Sequence, residues 1–311
     1  MSNSRGSEIL PVDDAAPEGR PPRAVERMSF KKWLREMGWR HLVGIAVVLF
    51  AVFPLVYVLS ASFNPGGTLT GSNELFRQLS VQNYVDLLSD PRRPYAAWFA
   101  NTLVVGLATS FGTVFLGALA AYAFSRMRFT GRRPGLLGLI IVQMFPQLLA
   151  VVAIYLLMRG ISEVFPAIGL DTQIGLIMVY LGGALGVNTY LMYGFFNTVP
   201  ASIDEAAKLD GAGHARIFFT IILRLVAPIL AVIGLLSFIG TTSDYVIASV
   251  ILTSPERLTL AVGLFRYVSE ETSTNYTIFA AGAVLAAIPV MALFLWLQKY
   301  IVGGLTAGAV K

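Results

Sequence analysis

Residues Tyr95–Phe124 read YAAWFANTLVVGLATSFGTVFLGALAAYAF and contain no charged side chain. A helix needs about 20 apolar residues to cross the hydrocarbon core of a bilayer. A helix inside a soluble protein rarely runs so long without charge. The apolar residues do not alternate with polar ones, as they would in the strands of a membrane barrel. The stretch therefore predicts a membrane-spanning helix.

Five further stretches of this kind occur in the chain of 311 residues, and Asp244 is the only charged residue inside any of the six. Hydrophobic residues make up 56% of the chain and charged residues 13%, which lies outside the usual composition of soluble domains. We therefore predict an all-α polytopic membrane protein with six transmembrane helices. The other five stretches are Leu42–Ser62, Gly135–Met158, Thr172–Val199, Leu225–Leu252 and Thr272–Gln298.

Lysine and arginine are unevenly distributed between the connecting segments. If the N-terminus lies in the cytoplasm, the segments on that side carry 17 of the 23 basic residues and the other side carries six. Cytoplasmic loops of membrane proteins are enriched in lysine and arginine. We therefore expect a multi-pass protein of the inner (plasma) membrane with both termini in the cytoplasm, external loops at residues 63–94 and 254–276, and an internal segment at 200–224.

The segment before the first span has two parts. Residues 1–29 are rich in proline, charged and small polar residues, which predicts a disordered cytoplasmic tail. Residues 30–41 combine apolar side chains at helical spacing with lysine and arginine; an interfacial helix and a plain charged lead-in to the first span both fit. Leu42–Ser62 is longer than the apolar core of a cleavable signal peptide, so we expect it to be retained. Residues 42–311 form the predicted six-span domain.

Composition also limits the chemistry of the chain. It has no cysteine and only two histidines, His41 and His214, so we expect no disulfide, no thiolate chemistry and no metal site. A net charge of +5 in a membrane protein reflects basic residues that face anionic lipid, so we expect lipid and not nucleic acid as a partner. The sequence G-x-x-x-x-G-K-[ST] of a phosphate-binding loop is absent, so we expect neither a catalytic site nor a nucleotide bound by this chain.

The internal segment Pro200–Arg224 reads PASIDEAAKLDGAGHARIFFTIILR and predicts a short helix, a turn and a second helix. Ser202 followed by Glu205 matches a capping box, in which each side chain satisfies a backbone amide of the first turn. Gly211 is placed where a left-handed residue ends a helix after Asp210. A helix of about two turns is marginal by itself, so something must hold it in place.

Two interpretations of this short helix stay open on spacing alone. Ala206 and Ala207 form a small face that a partner groove can approach closely, with Ile203 and Leu209 as apolar anchors. The same pattern also fits an amphipathic loop that lies on the membrane surface.

The spacing of the segment adds a resemblance to a known family. Glu205-Ala206-Ala207, three residues, Gly211, nine residues, Ile221, one residue and Leu223 resemble the EAA motif of permeases in ATP-binding-cassette (ABC) importers. Arg224 stands where that motif usually has a proline, and Pro228 follows four residues later, so the kink into the fifth span is expected to shift. Five further segments resemble MalG-type permeases of maltose/maltodextrin importers: Ala121–Phe129, Gln143–Pro146, Tyr180–Gly183, Thr259–Gly263 and Gly304–Lys311.

The resemblance implies a type I permease fold, a mechanism and a set of partners. The partners are a second, MalF-like permease, two MalK-like ATPase subunits that bind ATP and Mg²⁺, and an extracellular sugar-binding protein. It implies that the internal segment is a coupling helix seated in the ATPase subunit, and that ATP hydrolysis there drives alternating access of the permease. The residues that the resemblance places in this coupling site are Glu205, Ala206, Ala207, Asp210 and Gly211.

The resemblance assigns contacts to two more segments. The end of the chain is expected to reach between the ATPase subunits through Gly304, Leu305, Thr306, Ala307, Gly308 and Lys311. The external loop is expected to contact the sugar-binding protein through Glu270, Glu271, Thr272, Asn275 and Tyr276.

Polar residues inside the spans are candidates for the translocation path or for contact with the second permease. Asp244 is an intramembrane carboxylate, which is a functional hypothesis by default because leaving it unpaired in lipid is costly. A purely structural partner for Asp244 is the alternative. Thr241 and Asn188 complete this set.

Two other classes of protein are alternatives to an importer subunit. A secondary transporter driven by an ion gradient is expected to show discontinuous helices and ionisable groups at corresponding positions of two repeats, and one intramembrane aspartate does not match that. A membrane enzyme is expected to carry a cluster of catalytic side chains, which no span contains. Maltose, maltodextrin and trehalose all remain possible sugars for an importer of this kind.

Overall fold

A computed structural model describes residues 31, 34–65, 74–184, 186–269 and 275–307 of the chain. Every regular element in these ranges is a helix. The described residues divide into two units, one that runs up to Phe53 and one that starts at Pro54. The predicted tail at residues 1–29 lies outside the described residues.

Three helices in the described ranges are long and apolar enough to cross a membrane unbroken. The first span is Trp39–Ser62, and a π-helical turn at Leu34–Gly38 leads into it without a break. From Leu34 onward, the predicted interfacial segment therefore continues directly into the first span. The second span is Tyr95–Arg126, and the sixth is Tyr276–Ala307.

The other three predicted spans are each a pair of helices with a sharp bend between them. The angles are 100° in the third span, 54° in the fourth and 79° in the fifth. With each pair counted as one span, the described residues contain the six spans that composition predicts. The pairs are Arg132–Gln143 with Gln147–Val164, Gln173–Ala184 with Val187–Thr198, and His214–Leu225 with Ala227–Ser243.

Proline and glycine lie at the bends. Pro146 and Gly186 occupy the N-cap positions of the second halves of the third and fourth spans, and Pro228 lies in the first turn after the bend of the fifth. Proline cannot donate the backbone hydrogen bond that would continue a helix, so the break falls beside it. The Gln143 side-chain amide donates to the Gly183 carbonyl and thereby joins the bends of the third and fourth spans.

The second span packs against the fourth and fifth spans and against the short helix Leu260–Ser269. One buried cluster surrounds the fully buried Trp98, whose indole N–H donates to the Pro255 carbonyl at 2.6 Å. A second buried cluster surrounds Tyr122 at the other end of the same helix. The second span therefore connects the two ends of the bundle.

The two segments predicted as external contain more helix than the sequence predicts. A helix at Gln82–Ser89 lies within the predicted loop 63–94. The predicted loop 254–276 contains a 3₁₀ turn at Pro255–Arg257 and the helix Leu260–Ser269, whose apolar side chains are largely buried. Much of this second segment is therefore packed into the bundle. A further short helix, Val246–Ile251, follows the fifth span.

Candidate functional site

The helix of the segment predicted as internal, here called the loop helix, runs from Ala201 to Leu209. Pro200 takes the N-cap position, and no side chain caps the helix. The predicted capping box of Ser202 and Glu205 is therefore wrong, because the helix starts two residues early, at Ala201 rather than Ile203, and Ser202 already lies within its first turn. Instead, Asp204 in the first turn and Lys208 in the last complement the helix dipole.

The end of the loop helix follows the sequence prediction. Gly211 has a φ of 78°, in the left-handed region that favours glycine. Its amide donates to the Lys208 carbonyl at 3.0 Å, and the Ala212 amide donates to the Ala207 carbonyl at 2.9 Å. These two bonds form a Schellman motif, which satisfies carbonyls that the end of the helix leaves free. The second helix of the segment then starts at His214.

An ion pair that the sequence did not predict ties the loop helix to the second span. The Nε atom of Arg126 lies 3.0 Å from an Asp204 carboxylate oxygen, and the two side chains are 11% and 7% exposed. The N–H bond does not point along this line, so the contact is ionic rather than an aligned hydrogen bond. A guanidinium nitrogen of Arg126 also donates to the Val199 carbonyl at 2.7 Å, just before the loop helix.

The loop helix has an inward and an outward face. Ala207 is buried and Ile203 is half-buried against the cluster around Tyr122. Ala206 is exposed, and the Leu209 side chain is 90% exposed. The two alanines therefore do not share one face, since Ala207 packs against its own chain. The predicted residues that remain on the exposed side are Glu205, Ala206, Asp210 and Gly211.

The first half of the fifth span, His214–Leu225, follows the loop helix, is here called the lead into the fifth span, and is irregular. Residues Ile217–Ile222 are π-helical, and the helix bends at Val226, next to Pro228. The kink therefore lies after Arg224, as the missing motif proline predicts, and Arg224 is exposed. At the start of this lead, the Tyr122 hydroxyl lies 3.3 Å from Nδ1 of His214, which connects it to the second span.

Asp244 lies at the C-cap of Ala227–Ser243, not inside a helix. Its carboxylate accepts a hydrogen bond from the Tyr180 hydroxyl at 2.7 Å and one from each of the amides of Ile247 and Ala248 at 3.1 Å. The carboxylate thus caps the helix Val246–Ile251 and joins it to the fourth span. Thr241 is buried in the last turn of the fifth span, and Asn188 is half-buried at the start of Val187–Thr198.

A second carboxylate holds the connection between the third and fourth spans. Asp171 accepts hydrogen bonds from the amides of Thr253 and Ser254 at 2.9 Å each, and Arg257 lies 3.7 Å from the carboxylate. Partial burial opposes ionisation of Asp171, but the hydroxyl and amide of Ser254, the amide of Thr253 and the charge of Arg257 outweigh it. The pKa of Asp171 is therefore below its ordinary value.

The two other predicted contact segments are described only in part. Asn275 and Tyr276 are half-buried at the start of the sixth span. The backbone of Gly304 and of the next three residues belongs to the end of that helix. The predicted residues Glu270, Glu271, Thr272, Gly308 and Lys311 lie outside the described residues.

The described residues hold no group of three or more histidine, cysteine or acidic side chains that could bind a metal ion. The most polar arrangement around the loop helix is a cavity of about 640 Å³ that Arg126, Asp204, Lys208 and His214 help to line. The site thus offers charged and exposed apolar contacts.

The family described as the binding-protein-dependent transport system inner membrane component matches residues 98–306. This match contains the loop helix, both partners of the Arg126–Asp204 pair and the second to sixth spans, apart from the first three residues of the second span and the last residue of the sixth. The chain belongs to this family.

Curated relatives of this inner membrane component resemble it over nearly their whole length. The galactooligosaccharides transport system permease protein GanQ of Bacillus subtilis (strain 168) is 38% identical over 285 residues, 91% of this chain and 98% of that protein. The maltodextrin transport system permease protein MdxG of the same strain is 41% identical, covering 84% of this chain and 91% of that protein. The maltose/maltodextrin transport system permease protein MalG of Yersinia pestis is 39% identical, with 89% and 94% covered.

Solved structures share the fold of this inner membrane component. A chain of a bacterial ABC transporter involved in the import of the acidic polysaccharide alginate matches with a TM-score of 0.73 and 25% identity, covering 86% of this chain and 97% of that one. A chain from an alginate ABC transporter in complex with an alginate pentasaccharide-bound periplasmic protein has a TM-score of 0.64. Its identity is 14%, so this second likeness concerns the fold alone.

Membership in this family also decides between the two transporter classes. Discontinuous helices are expected of a secondary transporter, and three bent spans occur here. Helix breaks therefore do not separate the two classes in this chain. The match to a binding-protein-dependent system does, since it covers all three bent spans.

Proposed function

We propose that this chain is the permease subunit of an ABC importer that carries maltose, maltodextrin or a related oligosaccharide such as trehalose. The relatives named above, which transport maltodextrin, maltose or galactooligosaccharides, support this substrate class. The chain pairs with a second permease, two ATPase subunits and an extracellular sugar-binding protein. ATP and Mg²⁺ bind to the ATPase subunits, so this chain is not itself an enzyme.

The observation that carries the proposal is that one face of the loop helix packs against its own chain while the other face is exposed. On the inside of the bundle, Asp204 pairs with Arg126 and Ala207 packs against the cluster around Tyr122. On the outside, Leu209 projects almost fully exposed from the last turn. An exposed leucine at the end of a short helix fits an apolar partner groove as an anchor.

Movement of the ATPase subunits reaches the spans through these contacts. Displacement of the loop helix pulls on Arg126, the last residue of the second span, through the ion pair. It also turns the lead into the fifth span, which follows Gly211 and is linked to the second span by Tyr122 and His214. Both spans line one bundle, so rotation of the loop helix tilts them together and opens the path to alternate sides.

The experiment removes the exposed anchor and leaves the fold intact. Leu209→Ala deletes a side chain that is 90% exposed, so the chain should insert and pair with its partner permease as before. We expect ATPase subunits to be lost during purification, or ATP hydrolysis to continue without sugar uptake in proteoliposomes.

The matched control is Leu225→Ala, which removes the same group from the lead into the fifth span, where Leu225 is 49% exposed. This variant should retain the ATPase and transport normally. Full ATPase retention and normal coupled uptake by Leu209→Ala would contradict the coupling role of the loop helix.

A further inference from the structure

The turn between the second and third spans concentrates positive charge. It begins at Arg126, and Arg128, Arg132 and Arg133 follow within seven residues. Arg126 is neutralised by Asp204, and Arg132 donates to the Ser125 carbonyl at 3.4 Å and lies 6.0 Å from the Tyr193 ring. In the part of the chain that the structure describes, Arg128 and Arg133 have neither an ion-pair nor a hydrogen-bond partner.

Two adjoining cavities open onto these arginines. The first, of about 640 Å³, lies between the turn and the loop helix. The second is a shallow surface cavity of about 510 Å³ that shares Arg128 and Arg132 with the first and is completed by Arg133, Phe129, Gly131 and Pro134. Its described lining contains three guanidinium groups and no carboxylate. An anion is the charge-complementary occupant of such a cavity.

The start of the third span adds further positive potential at this turn. Arg132 and Arg133 are the first two residues of the helix Arg132–Gln143, which has no acidic residue in its first turn and no side-chain cap. The positive end of a helix dipole favours anions and disfavours arginine. Binding of an anion would offset the repulsion between the two arginines and the positive end of the helix dipole.

Apolar side chains accompany the arginines and identify the kind of anion. Met127 and Phe129 alternate with Arg126 and Arg128, and they are 38% and 44% exposed. The turn directly follows a membrane span, so these two side chains lie at the level where headgroups meet acyl chains. Free phosphate would use the arginines but not the apolar side chains. A phospholipid uses both.

We propose that the second cavity binds the phosphate of an anionic phospholipid such as phosphatidylglycerol, with Arg128 and Arg133 as ligands and Arg132 as the fixed wall between the two cavities. Arg128 and Arg132 line both this cavity and the one beside the loop helix, so the lipid supports the contact between the turn and the coupling element. This inference rests on the proposed cytoplasmic side of the turn, but it does not depend on the transported sugar.

The test measures lipid binding directly and needs no transport. The purified transporter complex is titrated with phosphatidylglycerol and, separately, with phosphatidylcholine, and bound lipid is counted by native mass spectrometry. Each arginine near an anionic surface raises the binding constant by about a factor of five. R128Q/R133Q should therefore weaken binding at the first phosphatidylglycerol site roughly 10- to 30-fold. Phosphatidylcholine binding should not change.

A matched control separates a site from diffuse attraction. R216Q/R224Q removes two exposed arginines from the same side of the membrane and should leave the first phosphatidylglycerol site intact. An equal loss in both double variants would overturn the proposal, because the attraction would then be spread over the surface.

Two further arms separate the other sources of an anion. Inorganic phosphate at matched concentration should not displace phosphatidylglycerol; if it binds equally well, the site belongs to a free anion and the lipid proposal fails. Retention of the ATPase is measured in nanodiscs of pure phosphatidylcholine. If R128Q/R133Q loses the ATPase there and its phosphatidylglycerol titration is unchanged, the arginines contact the ATPase and the proposal is again overturned.

Discussion

Among single residues, we expect loss of Arg126 or Asp204, which form an ion pair, to lower the stability of the fold most. Both side chains are about nine-tenths buried, so removing one partner leaves an uncompensated charge away from water. We expect Arg126→Gln or Asp204→Asn alone to destabilise the folded chain by about 3–5 kcal/mol. The measurement is the thermal unfolding midpoint of the detergent-solubilised protein.

The combined variant Arg126→Gln with Asp204→Asn tests whether the two residues act as one unit. It removes both charges, so its loss of stability should be clearly smaller than the sum of the single losses. Strict additivity would mean that the two side chains stabilise the protein independently and that the ion pair does not tie the loop helix to the second span.

The residues of the site differ in how far sequence could predict them. The left-handed conformation of Gly211 follows from a local need at the end of a helix, and the structure confirms it. The capping box failed because Pro200 starts the helix before Ser202. The pairing of Arg126 with Asp204 joins positions that are far apart in the chain, and only the packing of the fourth and second spans brings them together.

The bends of three spans are the main feature at the scale of elements that composition does not predict. Hydropathy averages over a window, so it locates a span without reporting its shape. Proline is not a sufficient signal either. Pro54 and Pro289 lie inside unbroken helices, whereas Pro146 and Pro228 lie at bends. Neighbouring helices decide which freed backbone groups find partners, and that information is tertiary.

The packing of the helix Leu260–Ser269 on the second span gives a prediction at the same scale. A Cβ atom at Gly263 would lie 2.2 Å from a ring carbon of Trp98, which is fully buried and held by its hydrogen bond to Pro255. The ring cannot move aside without breaking that bond. We expect Gly263→Ala to destabilise the protein by about 1–3 kcal/mol, measured by thermal unfolding.

Gly240→Ala is the control for this prediction. Gly240 also lies in a helix, but an added Cβ atom there meets no atom within 4 Å. Its replacement should be neutral or slightly stabilising, since alanine favours helix. Equal behaviour of the two variants would show that the contact of Gly263 with Trp98 is not close in the folded protein.

At the scale of the whole molecule, the sequence predicts the number of spans and the family more readily than the extent of the external surface. The distribution of basic residues predicts an external loop at residues 254–276. In the structure, Leu260–Ser269 is an apolar helix that packs into the bundle instead. Helices too short to span are therefore the part of a membrane fold that a search for spans counts as loop.

The orientation of the molecule in the membrane is predicted from the uneven distribution of basic residues, 17 on one side and six on the other. The chain has no cysteine, so single cysteines can be introduced at exposed positions without background. Gln78 and Glu256 are exposed on the side predicted as external, and Thr130 and Ala215 on the internal side. A membrane-impermeant maleimide applied to sealed cells should label Gln78→Cys and Glu256→Cys only. All four should label after the membrane is opened, because accessibility within the fold is then the only barrier.

Labelling of Thr130→Cys in sealed cells would show that the topology is the inverse of the predicted one. The loop helix and the turn between the second and third spans would then lie away from the ATPase side, and the coupling proposal would fail as well.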